Sequence, residues 1–297
     1  MLTKLRNAIL RTLLKLIFKK YSPVEESRAN SERSAKWMGK LPASITVEKV
    51  DRDGLNAEWI YNLDSDPEKV ILYLHGGGYV IGNIALYRLL SATLSQKTNA
   101  RVFLPDYRLA PEHPYPAAVD DTVAAYHWLL EQGYDAKNII IAGDSAGGGL
   151  SLAATLSLRA EGQPLPAGIV CLSPWTDLTM SGESHQSKAK AEAMLLKESL
   201  RLWASSYANK ADLRNPLISP IFADFAGFPP LLIQVGSEEI LLDDSVLLAE
   251  NAKSAGGDVT LSVYEGMWHV WQTLGFLPES RAAIEEIRDF VRKRVEK

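Results

Sequence analysis

The most restrictive feature of this sequence is a regular alternation between short β-branched segments and longer helical stretches. Eight segments have strand character: Ile45–Val50, Ala57–Tyr61, Val70–Leu74, Arg101–Leu104, Ile139–Ala142, Ile169–Leu172, Leu231–Val235 and Thr260–Tyr264. Strands that alternate with helices predict an α/β fold with a mostly parallel eight-stranded sheet, flanked by helices. The first two strands have no helix between them, so we expect that edge of the sheet to be antiparallel.

Helical patterns occupy the intervals between these strands. The clearest ones cover Ala117–Gln132, Gly148–Arg159, Ser245–Ala255 and Glu279–Val295. The interval from Thr176 to Phe228 has no strand pattern and contains a helical stretch at Lys188–Tyr207. We interpret this interval as helices inserted into the α/β unit, which would form a lid over the ends of the strands.

Composition and length are compatible with that architecture. The 297 residues are 46% apolar and 23% charged, which is typical of a globular chain and argues against disorder. Its net charge of −4 gives no indication of a nucleic-acid partner. We expect one α/β domain from residues 45–175 and 214–297. The remaining segments, residues 1–44 and 176–213, are expected to form a helical cap.

The first twenty residues carry a positive charge that the rest of the chain does not share. They contain six basic residues and no acidic one: Lys4, Arg6, Arg11, Lys15, Lys19 and Lys20. Charges at Arg11 and Lys15 interrupt the apolar core that a signal peptide would need. The pattern predicts an amphipathic helix that either packs on its own protein, which we favour, or lies on a membrane surface. In the favoured case its apolar face is expected to cover the active site.

A glycine-rich turn follows the most apolar strand. Gly143-Asp144-Ser145-Ala146-Gly147-Gly148 lies between Ile139–Ala142 and a helical stretch, so it is a G-x-S-x-G motif in a strand–turn–helix context. Such a turn raises the Ser145 hydroxyl above the sheet at a helix N-terminus, where developing negative charge is favoured. A phosphate-binding turn is the alternative, but G-x-x-x-x-G-K-[ST] is absent. The sequence therefore predicts a nucleophilic serine.

A second glycine-rich turn follows another predicted parallel strand. His75-Gly76-Gly77-Gly78-Tyr79 comes directly after Val70–Leu74. Glycines leave backbone N–H groups uncovered, and such donors can stabilise an oxyanion. Two glycine turns at the carboxyl ends of parallel strands predict a catalytic site at that edge of the sheet. His75 itself is expected to fix the loop by hydrogen bonds.

A serine nucleophile of this kind needs a base and an orienting acid further along the chain. Only His185 and His269 follow Ser145. His185 lies in the predicted cap, where a surface position is expected, whereas His269 follows the last strand and could reach the nucleophile. The acid should follow the strand Leu231–Val235, and four acidic residues stand there: Glu238, Glu239, Asp243 and Asp244. Spacing alone leaves the choice among them open.

Together these motifs resemble the hormone-sensitive-lipase-like branch of the α/β-hydrolase superfamily, also called the bacterial family IV esterases. The resemblance runs from about residue 70 to residue 275. It is carried by five segments in order: His75–Tyr79, Tyr107–Ala118, Gly143–Gly148, Ser173–Asp177 and Gly266–His269. The implied fold is an α/β-hydrolase fold with a helical cap. The family implies that the prolines of Tyr107–Ala118 stiffen a loop beneath the site.

The resemblance assigns roles residue by residue. It implies that Ser145 is the nucleophile and His269 the general base, with an oxyanion hole formed by the backbone N–H groups of Gly77, Gly78 and Ala146. The family acid is usually the Asp that opens an Asp-Pro-Leu-x-Asp segment, and the matching segment here begins with Glu239. Glu239 is therefore the expected acid, because Glu can orient an imidazole as Asp does. Asp243 is the runner-up.

The implied function is a serine carboxylesterase that hydrolyses short- to medium-chain acyl esters through an acyl-enzyme. No metal or organic cofactor is expected. A lactone hydrolase with the same triad is the alternative, and an amidase would share every residue. A ligand-binding receptor on an inactive hydrolase fold is less favoured, because Ser145 and His269 are both present.

Aromatic and apolar residues near these motifs predict a closed substrate pocket. The candidates are Tyr79, Trp175, Leu196, Trp203, Tyr207 and Trp268, and several of them could instead fill the core of the cap. Trp37 and Leu195 are further cap residues that could contribute. We expect a small-molecule ester as the partner, no nucleic acid, a cytoplasmic location, and a possible homodimer through an exposed edge strand.

Overall fold

The computed structural model describes residues 2–18, 22–37, 39–52 and 54–295. Within them, eight strands form one sheet: β1 (Ile45–Arg52), β2 (Leu55–Asn62), β3 (Asp66–Leu74), β4 (Ala100–Pro105), β5 (Ile139–Asp144), β6 (Gly168–Leu172), β7 (Leu231–Gly236) and β8 (Val259–Tyr264). Each predicted strand overlaps one of these. The predicted fold class, an α/β-hydrolase fold with helices on both sides of the sheet, is confirmed.

The strand order is β1-β2-β4-β3-β5-β6-β7-β8. Strand β2 pairs antiparallel with both β1 and β4, and all the other pairings are parallel. The antiparallel edge predicted for the first two strands is therefore present. The carboxyl ends of β3, β5, β6, β7 and β8 lie along one edge of the sheet, which brings the loops after them together.

The described helices are α1 (Leu2–Phe18), α2 (Val24–Trp37), α3 (Ile84–Thr98), α4 (Ala117–Glu131), α5 (Ala146–Ala160), α6 (Ser184–Ser187), α7 (Lys197–Ala208), α8 (Leu242–Ser254) and α9 (Pro278–Val295). Alternate residues of β3 face opposite layers: Leu72 and Leu74 pack in a core with α4 and α5, whereas Ile71 and Tyr73 pack with α3 and α9. None of the described helices is long and apolar enough to cross a membrane.

Two helical regions differ from the sequence prediction. Helix α3 has no predicted range, because its buried face includes Ser91 and Ser95, which blur the apolar period. The predicted helix at Lys188–Tyr207 is shorter than expected, since α7 begins only at Lys197. The Glu192 carboxylate accepts hydrogen bonds from the backbone N–H groups of Met194 and Leu195, which a continuous helix would have paired internally.

The segments predicted as the cap contain α1, α2, α6 and α7 and no strand among their described residues. Arg28 connects helix α2 to the loops that follow β3 and β4. Its guanidinium donates hydrogen bonds to the carbonyls of Val80 and Ala110, both at 2.7 Å, and to both carboxylate oxygens of Glu112. The two cap segments also meet, because Lys15 of α1 donates a hydrogen bond to the Lys190 carbonyl.

Helix α1 packs on the protein as expected, but with the opposite face. Leu10 and Leu14 pack against the apolar cluster around Trp268 and Trp271, and Arg11 forms an ion pair with Glu238. The broad apolar face, which includes Leu5, Ile9, Leu13, Leu16 and Ile17, is exposed to solvent. The expectation that this face covers the active site is therefore wrong. The helix instead buries the side that offers both apolar contacts and ion pairs.

Candidate active site

The turn that carries Ser145 is held in a backbone conformation that favours glycine. Ser145 has φ 53° and joins β5 to α5. Its N–H donates to the Leu172 carbonyl at 2.8 Å, and its own carbonyl accepts from the N–H of Trp175 at 2.9 Å. A side chain at the following Gly147 would place its Cβ only 2.0 Å from the Leu74 carbonyl oxygen. The turn thus requires glycine beside it, while β6 and its loop hold the strained serine in place.

The glycine turn after β3 lies directly beside the Ser145 turn. Gly77 and Gly78 have φ values of 125° and 61°, and the Gly77 carbonyl accepts hydrogen bonds from the N–H groups of Val80 and Ile81. Among the described residues, no acceptor is found for the N–H groups of Gly77, Gly78 or Ala146. Ala146 is the first residue of α5, where a helix leaves its N–H groups without internal partners. These three donors remain available to a bound oxyanion.

Asp144 joins the two turns and is a residue that the sequence reasoning missed. Its buried carboxylate accepts hydrogen bonds from the hydroxyls of Tyr73 (2.9 Å) and Tyr87 (3.0 Å) and from the N–H of Gly76 (3.0 Å). Burial raises the pKa of Asp144 to about 6, against the opposing effect of these hydrogen bonds. Asp144 therefore fixes the glycine turn relative to the adjoining Ser145 turn.

His269 is paired with one member of the acidic cluster. His269 lies in the loop after β8, and its Nδ1 is 2.9 Å from Oε2 of Glu239, which lies between β7 and α8. Both side chains are buried. Gly236 allows the two loops to meet, because a Cβ there would lie 2.4 Å from the Met267 carbonyl oxygen. The structure thus brings the expected base and the expected acid together.

The remaining acidic candidates have other partners. Asp243, the runner-up, accepts a hydrogen bond from the N–H of Ser184 at 2.7 Å. Asp244 accepts from the N–H groups of Thr176 and Asp177, and Glu238 is paired with Arg11 of α1. These carboxylates are engaged in tying the cap segments to the loop after β7. Glu239 is the member of the cluster that contacts His269.

The electrostatics of this pair favour a charged imidazole. Burial on its own lowers the pKa of His269, but the hydrogen bond and the negative charge of Glu239 outweigh it and raise the pKa above the ordinary value of 6.5. The nearby carboxylates of Glu192 and Asp144 add to that effect. Burial raises the pKa of Glu239, while its hydrogen bond to His269 opposes the rise. Glu239 can therefore support an imidazolium as it forms.

Two further residues that the sequence reasoning missed hold Glu239 in position. Ser173 donates a hydrogen bond from Oγ to Oε1 of Glu239 at 2.7 Å, and the same hydroxyl accepts from the N–H of Val270, beside His269. Glu192, from the cap, accepts from the N–H of Ile240 with its second carboxylate oxygen. Ser173 belongs to the Ser173–Asp177 motif, but that motif does not indicate this contact. Glu192 belongs to none of the motifs. Their roles depend on contacts between distant segments.

The other two histidines considered as site residues have structural environments. His75 is buried, its Nδ1 lies 2.7 Å from the Gly76 carbonyl, and it stacks on Tyr107. Burial lowers the pKa of His75 to about 4, so it is neutral at pH 7. The expected surface position of His185 is wrong: it is fully buried and its Nε2 lies 3.2 Å from Asp244. That contact packs α6 against α8.

The predicted substrate-contacting residues fall into two groups. Four have at most 1% of their surface exposed, namely Tyr79, Trp175, Tyr207 and Trp268. The Tyr79 and Tyr207 rings stack with their centroids 3.8 Å apart, so these two tyrosines pack α7 against the loop after β3. Leu196 and Trp203 keep exposed surface. The Trp203 ring lies directly against the glycine turn after β3, since a Cβ on Gly78 would be 2.3 Å from it. The side chain of Trp37 lies outside the described part.

No group of three or more His, Cys, Asp or Glu side chains suited to a metal ion is found in the described part of the chain. What the site does offer is a buried serine on a tight turn at the carboxyl edge of the sheet, a buried His–Glu pair, and three backbone N–H groups with no acceptor among the described residues. This set of groups can activate a hydroxyl nucleophile and stabilise the oxyanion formed when it attacks a carbonyl.

Comparison with known proteins identifies the family of this chain. A family profile described as the α/β-hydrolase fold matches residues 71–273. An acetyl-hydrolase of Streptomyces hygroscopicus is 47% identical over 237 residues, which covers 80% of this chain and 79% of that protein. The chain therefore belongs to the α/β-hydrolase fold family.

Solved structures narrow the class. An esterase from the bacterial hormone-sensitive lipase family is 43% identical, with a TM-score of 0.92 over 97% of this chain and 98% of the other. The crystal structure of EstE5, soaked with p-nitrophenyl butyrate, is 41% identical, with a TM-score of 0.93 over 98% of this chain and 99% of that one. Within the fold family, the chain belongs to the hormone-sensitive-lipase-like carboxylic ester hydrolases.

Proposed function

We propose that this chain is a serine carboxylesterase that hydrolyses short- to medium-chain acyl esters through an acyl-enzyme on Ser145. The observation that carries the proposal is the buried 2.9 Å contact between His269 Nδ1 and Glu239 Oε2, formed between the two loops that follow β7 and β8. A carboxylate in that position fixes the tautomer that leaves Nε2 free to accept a proton. Relatives named as an acetyl-hydrolase and as esterases support an ester as the substrate.

In the first half of the reaction, Ser145 Oγ attacks the ester carbonyl carbon while His269 Nε2 takes the hydroxyl proton. The carbonyl oxygen becomes an oxyanion, which the N–H groups of Gly77, Gly78 and Ala146 stabilise. When the tetrahedral intermediate collapses, the carbon–oxygen bond to the alcohol breaks. His269 returns its proton to the departing alkoxide, which leaves as the alcohol and leaves the acyl group on Ser145.

In the second half, a water molecule replaces the alcohol. His269 accepts a proton from that water as its oxygen bonds to the acyl carbon, and the same three N–H groups stabilise the second oxyanion. The bond to Ser145 Oγ then breaks, and the proton on His269 returns to the serine. The products are a carboxylic acid and the regenerated enzyme. Glu239 holds the imidazole through both halves and stabilises its positive charge.

The position of Trp203 supports the proposed preference for short and medium acyl chains. Its ring rests on Gly78, one of the proposed oxyanion donors, so a large rigid side chain borders the space above Ser145. Leu196, which precedes α7, keeps exposed surface and is a second apolar candidate for that space. A pocket bordered in this way suits small acyl groups better than long ones.

Rates with p-nitrophenyl acetate, butyrate, octanoate and palmitate test the proposal. We expect hydrolysis of the first three to exceed that of palmitate. Ser145→Ala should lower kcat by at least about 10⁴-fold, because the remaining groups cannot replace the nucleophile. Ser157→Ala is the matched control, since Ser157 lies on the same helix with only a 3.4 Å contact to Glu161. A Ser145→Ala enzyme with near-normal kcat would refute the mechanism.

A further inference from the structure

The outward face of α1 is the largest concentration of exposed apolar side chains in the described part of the chain. Five large side chains on one side of this helix are between 50% and 79% exposed: Leu5, Ile9, Leu13, Leu16 and Ile17. The other exposed large apolar residues are Phe18, at the end of α1, and Leu63, Leu247, Val263 and Phe276, which are scattered over the molecule. We refer to the five residues on one side of α1 as the outer face. A contiguous face of this kind marks an interaction surface.

The outer face is held in its exposed position by contacts on the other side of the helix. Arg6 pairs with Glu279, and Arg11 pairs with Glu238. Asn7 is buried beside Gly266, in the loop that leads to His269. Turning the helix to bury its outer face would break both ion pairs and expose Leu10 and Leu14. The exposure of the outer face is therefore a consequence of how the helix is docked.

The positive charge of residues 1–20 indicates what kind of partner binds the outer face. The first twenty residues contain six basic residues and no acidic one. Among the described residues, two acids pair with arginines of α1, namely Glu238 and Glu279. The six basic residues outnumber these two acids, so this part of the molecule stays positively charged. A second copy of the chain would bring two such positively charged helices together, which costs free energy. A surface of anionic lipid would attract this net positive charge and accept the apolar side chains of the outer face.

We propose that the outer face of α1 binds the surface of an anionic lipid bilayer. The helix lies in the plane of the interface, with Leu13 and Leu16 near the middle of the inserted side. The inner face of the same helix packs against the loop that carries His269, so that loop lies about one helix diameter, ~10 Å, from the lipid surface. The catalytic edge of the molecule is thereby held close to substrates that partition into membranes.

Co-sedimentation with vesicles tests this binding without reference to hydrolysis. The full chain with Ser145→Ala is mixed with vesicles of phosphatidylcholine alone or of phosphatidylcholine with an equal share of phosphatidylglycerol, and bound protein is measured. We expect binding to the anionic vesicles to be at least about fivefold tighter, the increase expected from a single basic residue at such a surface. About 0.5 M salt should remove most of that difference, because it screens the attraction.

Paired variants identify the surface that binds. Leu13→Gln with Leu16→Gln should weaken binding to anionic vesicles at least about tenfold, because two inserted side chains lose their apolar contact. Leu63→Gln with Leu247→Gln removes two exposed leucines elsewhere and should leave binding unchanged. Both double variants in the Ser145-containing enzyme should hydrolyse soluble p-nitrophenyl acetate like the parent, which reports intact folding.

Three results would overturn the proposal. The first is no binding to either vesicle, and the second is equal loss of binding in the two double variants. The third is a dimer in analytical ultracentrifugation that Leu13→Gln with Leu16→Gln dissociates, without vesicle binding, which would assign the outer face to a second copy of the chain. None of these results depends on whether Ser145 is the nucleophile, so the lipid proposal and the esterase proposal fail separately.

Discussion

The Ser145 turn and helix α1 illustrate two ways in which a sequence pattern becomes a structure. At Ser145, a neighbouring backbone lies so close to Gly147 that an added Cβ would be 2.0 Å from the Leu74 carbonyl oxygen. In α1, an amphipathic pattern is compatible with either of two docked orientations, and ion pairs of Arg6 and Arg11 accompany the one observed. The close packing at the Ser145 turn permits only one local conformation. The amphipathic pattern of α1 permits two docked orientations, and residues far away in the sequence determine which one forms.

Substitutions in the loops after β7 and β8 should change activity strongly and distinguish the two acid candidates. Glu239→Gln should lower kcat by about 10³- to 10⁴-fold, because the amide cannot stabilise the imidazolium or enforce its tautomer. Asp243→Asn should leave most of the activity, since Asp243 binds the N–H of Ser184 instead of His269. The measurement is kcat with p-nitrophenyl butyrate. A reversed order of the two variants would contradict the assignment of the acid.

Substitution of glycine by alanine tests whether close packing constrains the Ser145 turn. Gly147→Ala should destabilise the protein by about 2–3 kcal/mol or prevent folding, because the new methyl group meets backbone that cannot move cheaply. Gly275→Ala is the matched control, as nothing lies within 4 Å of a Cβ there. Its free energy of unfolding should change by less than about 0.5 kcal/mol. Urea unfolding of both variants checks the difference, and equal stabilities would remove the steric argument.

The pH dependence of activity tests the electrostatic coupling within the site. As the proposed base, His269 must be neutral, and the hydrogen bond and charge of Glu239 raise the pKa of His269 above 6.5. Activity should therefore fall as the pH is lowered through a value above 6.5. In Glu239→Gln the imidazolium loses its charged partner, so the residual activity should persist to lower pH. Profiles of kcat/KM between about pH 5 and pH 9 give the answer. An unchanged acid limb in the variant would argue against the pairing.

Part of the fold and of the candidate site could be predicted from the sequence. The strands, the Ser145 turn and the candidate base were predictable because periodicity and glycine spacing are local signals. The contact of Glu239 with His269 was expected only from the family resemblance, since spacing left four acids open. The roles of Asp144, Ser173 and Glu192 were not predictable, because each depends on buried hydrogen bonds between segments far apart in the chain.

The smallest expected effect concerns α1. Arg6→Gln with Arg11→Gln removes two partly exposed ion pairs and should cost about 1 kcal/mol of stability. Hydrogen exchange should increase in residues 2–18 and stay unchanged in residues 139–148. Arg33→Gln is a suitable control, because Arg33 contacts only nearby α2 residues among those described. Equal increases in both regions would show that the two arginines do not act locally.

The proposal that Ser145 is the nucleophile is tested most directly by covalent labelling with a serine-directed phosphonate, followed by peptide mass mapping. We expect one adduct per chain, on the peptide that contains Ser145, and no adduct in Ser145→Ala. Glu239→Gln should react much more slowly at the same residue, because His269 is then less effective as a base. An adduct on a different residue, or a folded wild-type protein that takes up no label, would contradict it.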